Sequence, residues 1–436
     1  MADGRKAALV LLEKCRRGGA WSDAVLGSIL DAEGLASRER AFAAALCYGV
    51  LQNRLLLDHV IGQCATMPLR KIEPKVLDIL RIAAYQLMFM DKVPAAAAVD
   101  SAVKLCKSLG YARASGLVNA VSRRIAEGAF TVPQGHEPEA LSLRYSHPLW
   151  MVERLTSLLG AEEAEAFCRC NNAPAPITLQ INTLRTDAKT LLAALIAHGL
   201  EAEIHPFVPD CILLKNGSVT SVPEFQQGNF YVQDAAAKLS VLAAGPQKGQ
   251  RILDVCAAPG GKSFAAAIVS GGAEITACDL HEKKLVRIKQ GTLRLGIEDI
   301  TLRAMDARQP CPEFTERFDL VIADVPCSGL GVIRKKPDIR YKDPSELAGL
   351  PEVQSAILRN VCSYVRPGGT LLYSTCTVLP EENADVCTAF LKDAPSFAPE
   401  DFSLPGGFES SGGMLQLWPQ RNGTDGFYIA KMKKWK

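Results

Sequence analysis

The sequence predicts an α/β protein in which a doubly wound parallel sheet fills the C-terminal half, preceded by a small α/β segment and an all-helical N-terminal region. Three observations carry this expectation. From about residue 236, strand-like runs alternate with helical stretches, the pattern of a parallel sheet with crossover helices. Residues 1–130 instead place apolar side chains at three- and four-residue intervals, without strand-like alternation. Between these regions, "TVPQGHEPEALSLRYSHP" (131–148) is rich in Pro, Gly and His and reads as a linker.

The N-terminal stretch "MADGRKAALVLLEKCRRGG" breaks its apolar run at Glu13 and Lys14, so it reads as an amphipathic helix and not as a signal peptide. "RERAFAAALCYGVLQNRLLLDHVIGQ" and "EPKVLDILRIAAYQLMFM" have helical periodicity. "VPAAAAVDSAVKLCKSLG" starts after Pro94 and stops at Gly110, and "ASGLVNAVSRRIAEG" follows with Arg123 and Arg124 together. Past the linker, "ITLQINTL" is a strand, "DAKTLLAALIAHG" a helix and "CILLKNG" a strand, a small α/β segment over 149–235. The domain from 236 to 436 then reads "RILDVC", "EITACD", "TLRAMD", "DLVIAD" and "TLLYST" as strands, with "GFYIAKMKKW" as a last one.

With 436 residues, 48% hydrophobic and 22% charged, the chain has material for two or three globular domains and no apolar run long enough to span a bilayer. Its 14 cysteines are too sparse for a disulfide scaffold, which points to reduced thiols and a cytoplasmic location. The net charge of +2 hides an asymmetry. Residues 1–130 hold 18 Lys and Arg against 12 Asp and Glu, a net of +6, and the remainder carries −4. A basic helical region on an acidic body is compatible with binding phosphates, and equally with a solvated helical surface.

In an open α/β sheet the ligand crevice lies beyond the carboxyl ends of the strands. The first such end carries "DVCAAPGGKS" (254–263). It fits a phosphate-binding P-loop only at its tail, because Cys256 stands where the first Gly belongs and Pro259 removes an amide donor. No dinucleotide G-x-G-x-x-G is present. What remains is a tight turn at a helix N-terminus. Asp279 follows 19 residues after Gly260, the usual place for an acid that takes ribose hydroxyls, and Asp306 is placed to receive an amine or ring edge. An adenosine-type ligand without phosphates accounts for all three, and S-adenosylmethionine is such a ligand.

Two thiols stand at the next strand ends: Cys327 in "ADVPCSGLG" and Cys376 in "LLYSTCTVLPEENAD". Methyl transfer to oxygen or nitrogen needs no cysteine. Transfer to carbon 5 of a pyrimidine does, because a thiolate adding to carbon 6 makes that carbon nucleophilic, and loss of the carbon-5 proton then expels the thiol. Asp324 is placed to stabilise charge on the base, either protonated or through the exocyclic amine. The base must be unstacked for a thiol to reach it. These residues alone leave open which thiol attacks.

At these residues the chain resembles the bacterial 16S ribosomal RNA cytosine-C5 methyltransferases of the Sun/Fmu type, the RsmB family. The resemblance runs through "RAFAAALCYGVL", "LVNAVSRRI", "YSHPLWMVERL", "QINTLRTD", "YVQDAAA", "LDVCAAPGGKS", "DVPCSGLGVIRKKPDIR", "YSTCTVLPEEN" and "DGFYIAK". It implies a Rossmann-like S-adenosylmethionine-dependent domain behind a NusB-like RNA-binding domain. It also implies a monomer that methylates 16S rRNA before or during small-subunit assembly, at the cytosine conventionally numbered 967, without membrane or metal. The Thr-Cys thiol, Cys376, would be the nucleophile, and the Pro-Cys thiol, Cys327, would assist product release. The cofactor would contact Cys256, Ala257, Ala258, Pro259, Gly260, Gly261 and Lys262 together with Asp279, Asp306 and Asp324. Lys262 would also face the reaction centre.

This sequence departs from that family's pattern at "VPAAAAVDSAV", at Gln180 and at Ala237, which touches the expected RNA contacts and not the catalytic set. Cys47, Cys64, Cys106, Cys278 and Cys362 fit core packing. Cys168 and Cys170 lack a second pair at zinc spacing. "RKKP" (334–337) reads as either a solvated turn or a phosphate contact. Other readings are a tRNA substrate, a non-catalytic RNA-binding assembly factor and, distantly, a nicotinamide-dependent dehydrogenase.

Overall fold

The computed structural model describes residues 3–18, 35–215, 217 and 219–435; residues 1, 2 and 19 of the N-terminal stretch and Asn216 lie outside these. The chain divides into two compact units, Met1–Ala173 with Ile333–Lys342, and Pro174–Val332 with Asp343–Lys436.

The first unit is helical: α1 (Gly4–Gly18), α2 (Ser37–Cys64), α3 (Pro74–Phe89), α4 (Ala95–Ser108) and α5 (Ser115–Ala126). Leu46, Leu57, Ile61, Ile79, Leu80, Ile82, Val118 and Val121 form its core. Gly49 of α2 lies against the Tyr85 ring, where a Cβ would collide, so the two helices cross closely there. Glu73 caps α3 by accepting from the Lys75 and Val76 amides, with Pro74 at the first position. Arg81 pairs with Asp58 at 2.7 Å and with Asp78 at 2.7 Å, joining α2 to α3.

The linker stretch contains a helix, α6 (Pro138–Tyr145), and α7 (Leu149–Leu159) and α8 (Ala161–Asn172) follow in the same unit. Pro138 supplies a helix start inside what composition marks as irregular. The last piece, 333–342, is a loop that leaves the sheet unit and packs among these helices. Arg340 is fully buried there and donates from Nη1 to the carbonyls of Gln52 (2.9 Å) and Ser146 (3.1 Å) and to Asn172 Oδ1 (3.0 Å). The Arg54 guanidinium stacks on Tyr341 at 3.5 Å. The RKKP stretch therefore begins a structural loop: Arg334 approaches Cys170 Sγ at 3.8 Å, and Pro337 is buried.

The second unit opens with a four-stranded antiparallel sheet, β1 (Ile177–Ile181), β2 (Ala202–Ile204), β3 (Cys211–Leu214) and β4 (Phe230–Val232), in the order β2-β3-β1-β4. Helix α9 (Ala188–Ala197) covers one face through Leu191 and Leu195. Gln180 is buried, donating to the Gln233 carbonyl at 3.0 Å and accepting from the Cys211 thiol at 2.8 Å. In this chain it is a core pin.

After α10 (Ala235–Ala244) comes the large sheet: β5 (Arg251–Asp254), β6 (Glu274–Asp279), β7 (Ile300–Ala304), β8 (Phe318–Asp324) and β9 (Val365–Thr375), mutually parallel. β10 (Phe397–Pro399), a short hairpin of β11 (Ser403–Leu404) and β12 (Phe408–Glu409), β13 (Met414–Leu417) and β14 (Phe427–Lys434) follow. The order is β10-β14-β9-β8-β5-β6-β7, with β13 also on β14. The sheet is mixed and not purely parallel, because β14 returns antiparallel to β9 and takes β10 and β13 antiparallel on its other side. β13 and β14 are too close in sequence for a parallel crossover.

Alternate residues of each strand enter opposite cores. Ile252, Leu320, Ile322 and Leu372 pack with α10, α11 (Gly261–Ser270) and α12 (Glu282–Leu295), whereas Leu253, Val321, Ala323 and Leu371 pack with α13 (Leu350–Val361) and α14 (Ala384–Asp393). Burial on both faces explains the continuous apolar runs of these strands. The strand order reverses between β5 and β8, so the crevice at their carboxyl ends is the natural ligand site.

Candidate active site at the strand ends

The turn after β5 brings the backbone to the crevice. The Ala257 amide donates to the Cys278 carbonyl at 2.8 Å and the Gly260 amide to the Ala257 carbonyl at 2.6 Å. Gly260 has φ +113°, and a Cβ there would run into the Phe264 ring, so both conformation and space demand glycine. The Ala258–Pro259 bond is cis. Beneath the turn, Asp254 is fully buried and accepts from Ser263 Oγ at 2.7 Å. Burial pushes its carboxyl up to about 7, with Asp324 adding to the rise and Ser263 and Lys262 opposing it.

Asp279 ends β6, accepting from the Ala258 amide at 3.3 Å through Oδ2 and from the His281 amide at 3.0 Å through Oδ1. Each oxygen retains a lone pair, so the carboxylate ties down the glycine-rich turn and can still accept from a diol. Asp306 stands two residues past the end of β7, and its carboxylate is held by Arg308, with Nη2 to Oδ2 at 2.7 Å. That hydrogen bond lowers the Asp306 carboxyl and occupies the oxygens that the sequence offers to an amine. The turn and Asp279 fit an adenosine-type ligand; for Asp306 to contact it, Arg308 must give way.

Between this turn and the thiols lies an ion pair. Lys262 Nζ, at the start of α11, is 2.7 Å from Asp324 Oδ2 at the end of β8. Ser374 Oγ, from β9, donates to the other oxygen at 2.8 Å, and the ammonium lies 4.9 Å from the Phe427 ring centre.

The two cysteines of the sequence reading meet here. Cys327 Sγ and Cys376 Sγ are 3.3 Å apart, each unbridged and half-buried. Their environments separate them. A hydrogen bond from Cys327 lowers the Cys376 thiol, against burial and the Asp324 charge, with Lys262 helping. Cys327 is raised by the same bond, by burial and by Glu382 and Asp324. The two thiols are thus pushed in opposite directions, Cys376 down and Cys327 up, by the contact between them.

Three loops lock this pair. The Gly331 amide donates to the Cys376 carbonyl at 2.9 Å, and the Gly426 amide to the Gly331 carbonyl at 2.8 Å. A Cβ on Gly331 would strike the Gly426 carbonyl. Glu382, buried, accepts from the Ser328 amide at 2.8 Å, from Gln354 Nε2 at 3.0 Å and from Thr377 Oγ1 at 3.3 Å. Asp234, cap of α10, accepts the Asp425 amide at 3.0 Å.

The structure therefore gathers Cys256 to Lys262, Asp279, Asp324, Cys327 and Cys376 around one crevice, with Asp306 turned to Arg308. Sequence reasoning did not single out Glu382, Gly331 or Asp254; the carboxylates after Thr-Cys and the Gly-Leu-Gly after Pro-Cys were the available signals. Cys168 is buried and pushed up to about 12 by that burial, Cys278 likewise. Ala237 is buried in α10, and the alanines at 95–97 are exposed on α4. Among the described residues, no group of three or more His, Cys, Asp or Glu is arranged to hold a metal, and no helix is long and apolar enough to cross a membrane.

Comparison with known proteins agrees with this layout. Residues 241–433 match the model of the family described as 16S rRNA methyltransferase RsmB/F. Residues 3–127 match the NusB family, and 147–220 the RsmF/B-like ferredoxin-like domain. The probable ribosomal RNA small subunit methyltransferase B of Bacillus subtilis (strain 168) is 37% identical, over 99% of this chain and 98% of its own. The crystal structure of PH0851 is 25% identical and superposes with a TM-score of 0.83, over 99% of this chain and 98% of that one. A methyltransferase homolog protein from Pyrococcus horikoshii is 27% identical with a TM-score of 0.60, covering 69% of this chain and 100% of its own.

Proposed function

Because the chain belongs to the 16S rRNA methyltransferase RsmB/F family, we propose that it methylates carbon 5 of one cytosine in 16S rRNA through a covalent bond from Cys376 to carbon 6. The observation that carries this reading is the thiol pair. A methyltransferase acting on oxygen or nitrogen has no use for two cysteines at 3.3 Å with a lysine–aspartate pair beside them. S-adenosylmethionine, held by the turn 256–262 and Asp279, supplies an electrophilic methyl group when bound.

The Cys376 thiolate adds to carbon 6, the electrons of the 5,6 double bond pass into the ring, and carbon 5 becomes the nucleophile that would take the methyl group, so that it carries methyl and proton together. Lys262 and Asp324 face that build-up of charge, Asp324 through the exocyclic amine. Once Cys376 is tied up, the Cys327 thiol has lost its acceptor and gives its proton to solvent. The resulting Cys327 thiolate takes the carbon-5 proton, the double bond re-forms, and Cys376 leaves as thiolate. The pair then again holds one proton, and the turnover has released one, as the overall reaction requires.

The basic balance of residues 1–130 supports RNA binding by the NusB-like domain, with the ferredoxin-like subdomain assisting. We take the chain to act as a cytoplasmic monomer on RNA that is not yet buried in a finished subunit, because the target base must be unstacked.

Methyl transfer from labelled S-adenosylmethionine to unmodified 16S rRNA tests the reading. Wild type should label one cytosine, Cys376→Ala should be inactive, and Cys327→Ala should accumulate a denaturation-resistant protein–RNA adduct. Labelling by Cys376→Ala would overturn the mechanism; labelling of tRNA and not rRNA would overturn the substrate.

A further inference from the structure

Two loops from different strands must hold two sulfurs within a few tenths of an ångström for a proton to pass between them. The residue after each cysteine is where that register is fixed. Ser328 follows Cys327 and Thr377 follows Cys376; their hydroxyls are 2.7 Å apart. Both residues converge on the carboxylate of Glu382, through the Ser328 amide at 2.8 Å and Thr377 Oγ1 at 3.3 Å. Gln354 of α13 donates to the same carboxylate at 3.0 Å and to the Pro326 carbonyl, just before Cys327, at 2.9 Å. Glu382 is itself pinned, with its carbonyl accepting from the buried Tyr373 hydroxyl at 2.5 Å. A carboxylate buried to 1% exposure and used on both oxygens is costly to place, and its removal leaves a buried amide unpaired.

We propose that Glu382 is a positioning residue, which clamps the Pro-Cys and Thr-Cys loops in register and so holds the two sulfurs at the distance at which a proton can pass between them. Its side chain is enclosed by the two loops and acts through them. The groups acting on Cys327 are Cys376, Glu382 and Asp324, with Tyr373 nearby; those on Cys376 are Cys327, Asp324, Lys262 and Asp425. Glu382 and Asp324 are the carboxylates that raise Cys327, and Glu382 is the one hydrogen-bonded to the residue after it. Removing its charge therefore lowers Cys327. The inference rests on the two-thiol mechanism for its role in turnover, and stands apart from it for the hold on the sulfurs.

The test is Glu382→Gln, which keeps the shape and removes the charge, with Glu382→Asp, which keeps the charge and shortens the reach. Peptide-level alkylation by iodoacetamide across pH reads each thiol without RNA, and single-turnover methylation with adduct gels reads the chemistry. For Glu382→Gln the alkylation midpoint of Cys327 should fall, the methylation rate should drop about tenfold or more, and the adduct should persist. Glu382→Asp should leave the Cys327 midpoint near that of wild type while slowing turnover, because the loops lose register. An unchanged Cys327 midpoint with wild-type turnover in Glu382→Gln overturns the proposal, and so does a turnover loss explained entirely by a smaller folded fraction in both variants. A shifted midpoint in Glu382→Gln, in an enzyme whose Cys327→Ala variant traps no adduct, leaves the clamp standing and removes the covalent mechanism.

Discussion

Lys262 and Asp324 form an ion pair at 2.7 Å, between the glycine-rich turn that opens α11 and the Pro-Cys loop that follows β8. The lysine side chain is 8% exposed and the aspartate 31%, so the pair faces the crevice from its carboxylate side. The pair acts on Cys376 with opposite signs: Lys262 lowers the thiol and Asp324 raises it. Lys262→Met removes the favourable partner and leaves the unfavourable one, so Cys376 should be pushed up. The acidic limb of the methylation rate against pH should move to higher pH, with kcat reduced about tenfold or more and the affinity for RNA nearly kept. An unmoved limb would show that Lys262 serves only the fold.

The hydrogen bond from Cys327 is the largest influence lowering Cys376. Cys327→Ser keeps a weaker partner and Cys327→Ala removes it, so Cys376 should rise in that order. Iodoacetamide at neutral pH should label Cys376 of wild type well before Cys168, Cys211 or Cys278, each pushed up to about 12 by burial. In Cys327→Ala the Cys376 rate should fall severalfold.

Gly331→Ala should be among the most damaging single-methyl additions in the sheet unit. The added carbon meets the backbone carbonyl of Gly426, which cannot swing aside as a side chain would. Relief requires breaking the Gly331 to Cys376 or the Gly426 to Gly331 hydrogen bond. A destabilisation of about 2 kcal/mol, with a larger loss of methylation than the folded fraction explains, is expected from denaturant titration and single-turnover assays.

Asp254 provides a pH signature of stability. Its folded-state carboxyl is raised to about 7 by burial, above the ordinary aspartate value of 3.8. The unfolded chain therefore ionises first. The stability that this residue contributes is full below the unfolded value, declines as pH rises from about 4 to about 7, and is flat above. Asp254→Asn removes this dependence. The variant should gain on wild type with rising pH through that window, by on the order of a few kcal/mol at most, in urea titrations at pH 4.5, 6 and 8. A constant difference across the three would refute the assignment.

Arg340→Met tests the loop 333–342. Gln52, Ser146 and Asn172 each lose a donor, while a buried charge without a carboxylate partner disappears. The unpaired acceptors outweigh the relief, and a loss of about 2 to 3 kcal/mol in the helical unit is expected by thermal unfolding.

Most of the sheet unit was legible because its strands are buried on both faces and end in acids at the crevice. "DLVIAD" and "EITACD" needed no tertiary information. The antiparallel return of β14 was not legible, because a strand carries no mark of its neighbour's direction. The short strands β2, β4 and β10 bury too few side chains to leave a pattern. The reactive residues were legible through chemistry: two thiols beside Pro, Gly and carboxylates have few uses. Glu382 and Gly331 escaped because their roles depend on loops far apart in sequence meeting within hydrogen-bond reach. Composition marked 131–148 as a linker and could not reveal α6, whose start rests on Pro138 and whose anchoring is tertiary. The same limit hid Arg340, which sits in a stretch that looks solvated and is fully buried.

The segment Ile333–Lys342 has a consequence for how the protein is made. Synthesis runs from the N-terminus, yet one wall of the helical unit is encoded beyond the Pro-Cys loop. A nascent chain that has just cleared Asn172 holds the helices α1 to α8 and lacks Arg340 and Tyr341, so the hydrogen bonds from Arg340 to the carbonyls of Gln52 and Ser146 form only after some 160 more residues are added. The apolar core of the helical unit, drawn from residues 7–125, is complete long before, so only these last polar contacts wait for the segment. A fragment ending at Ala173 would be stranded at the same stage.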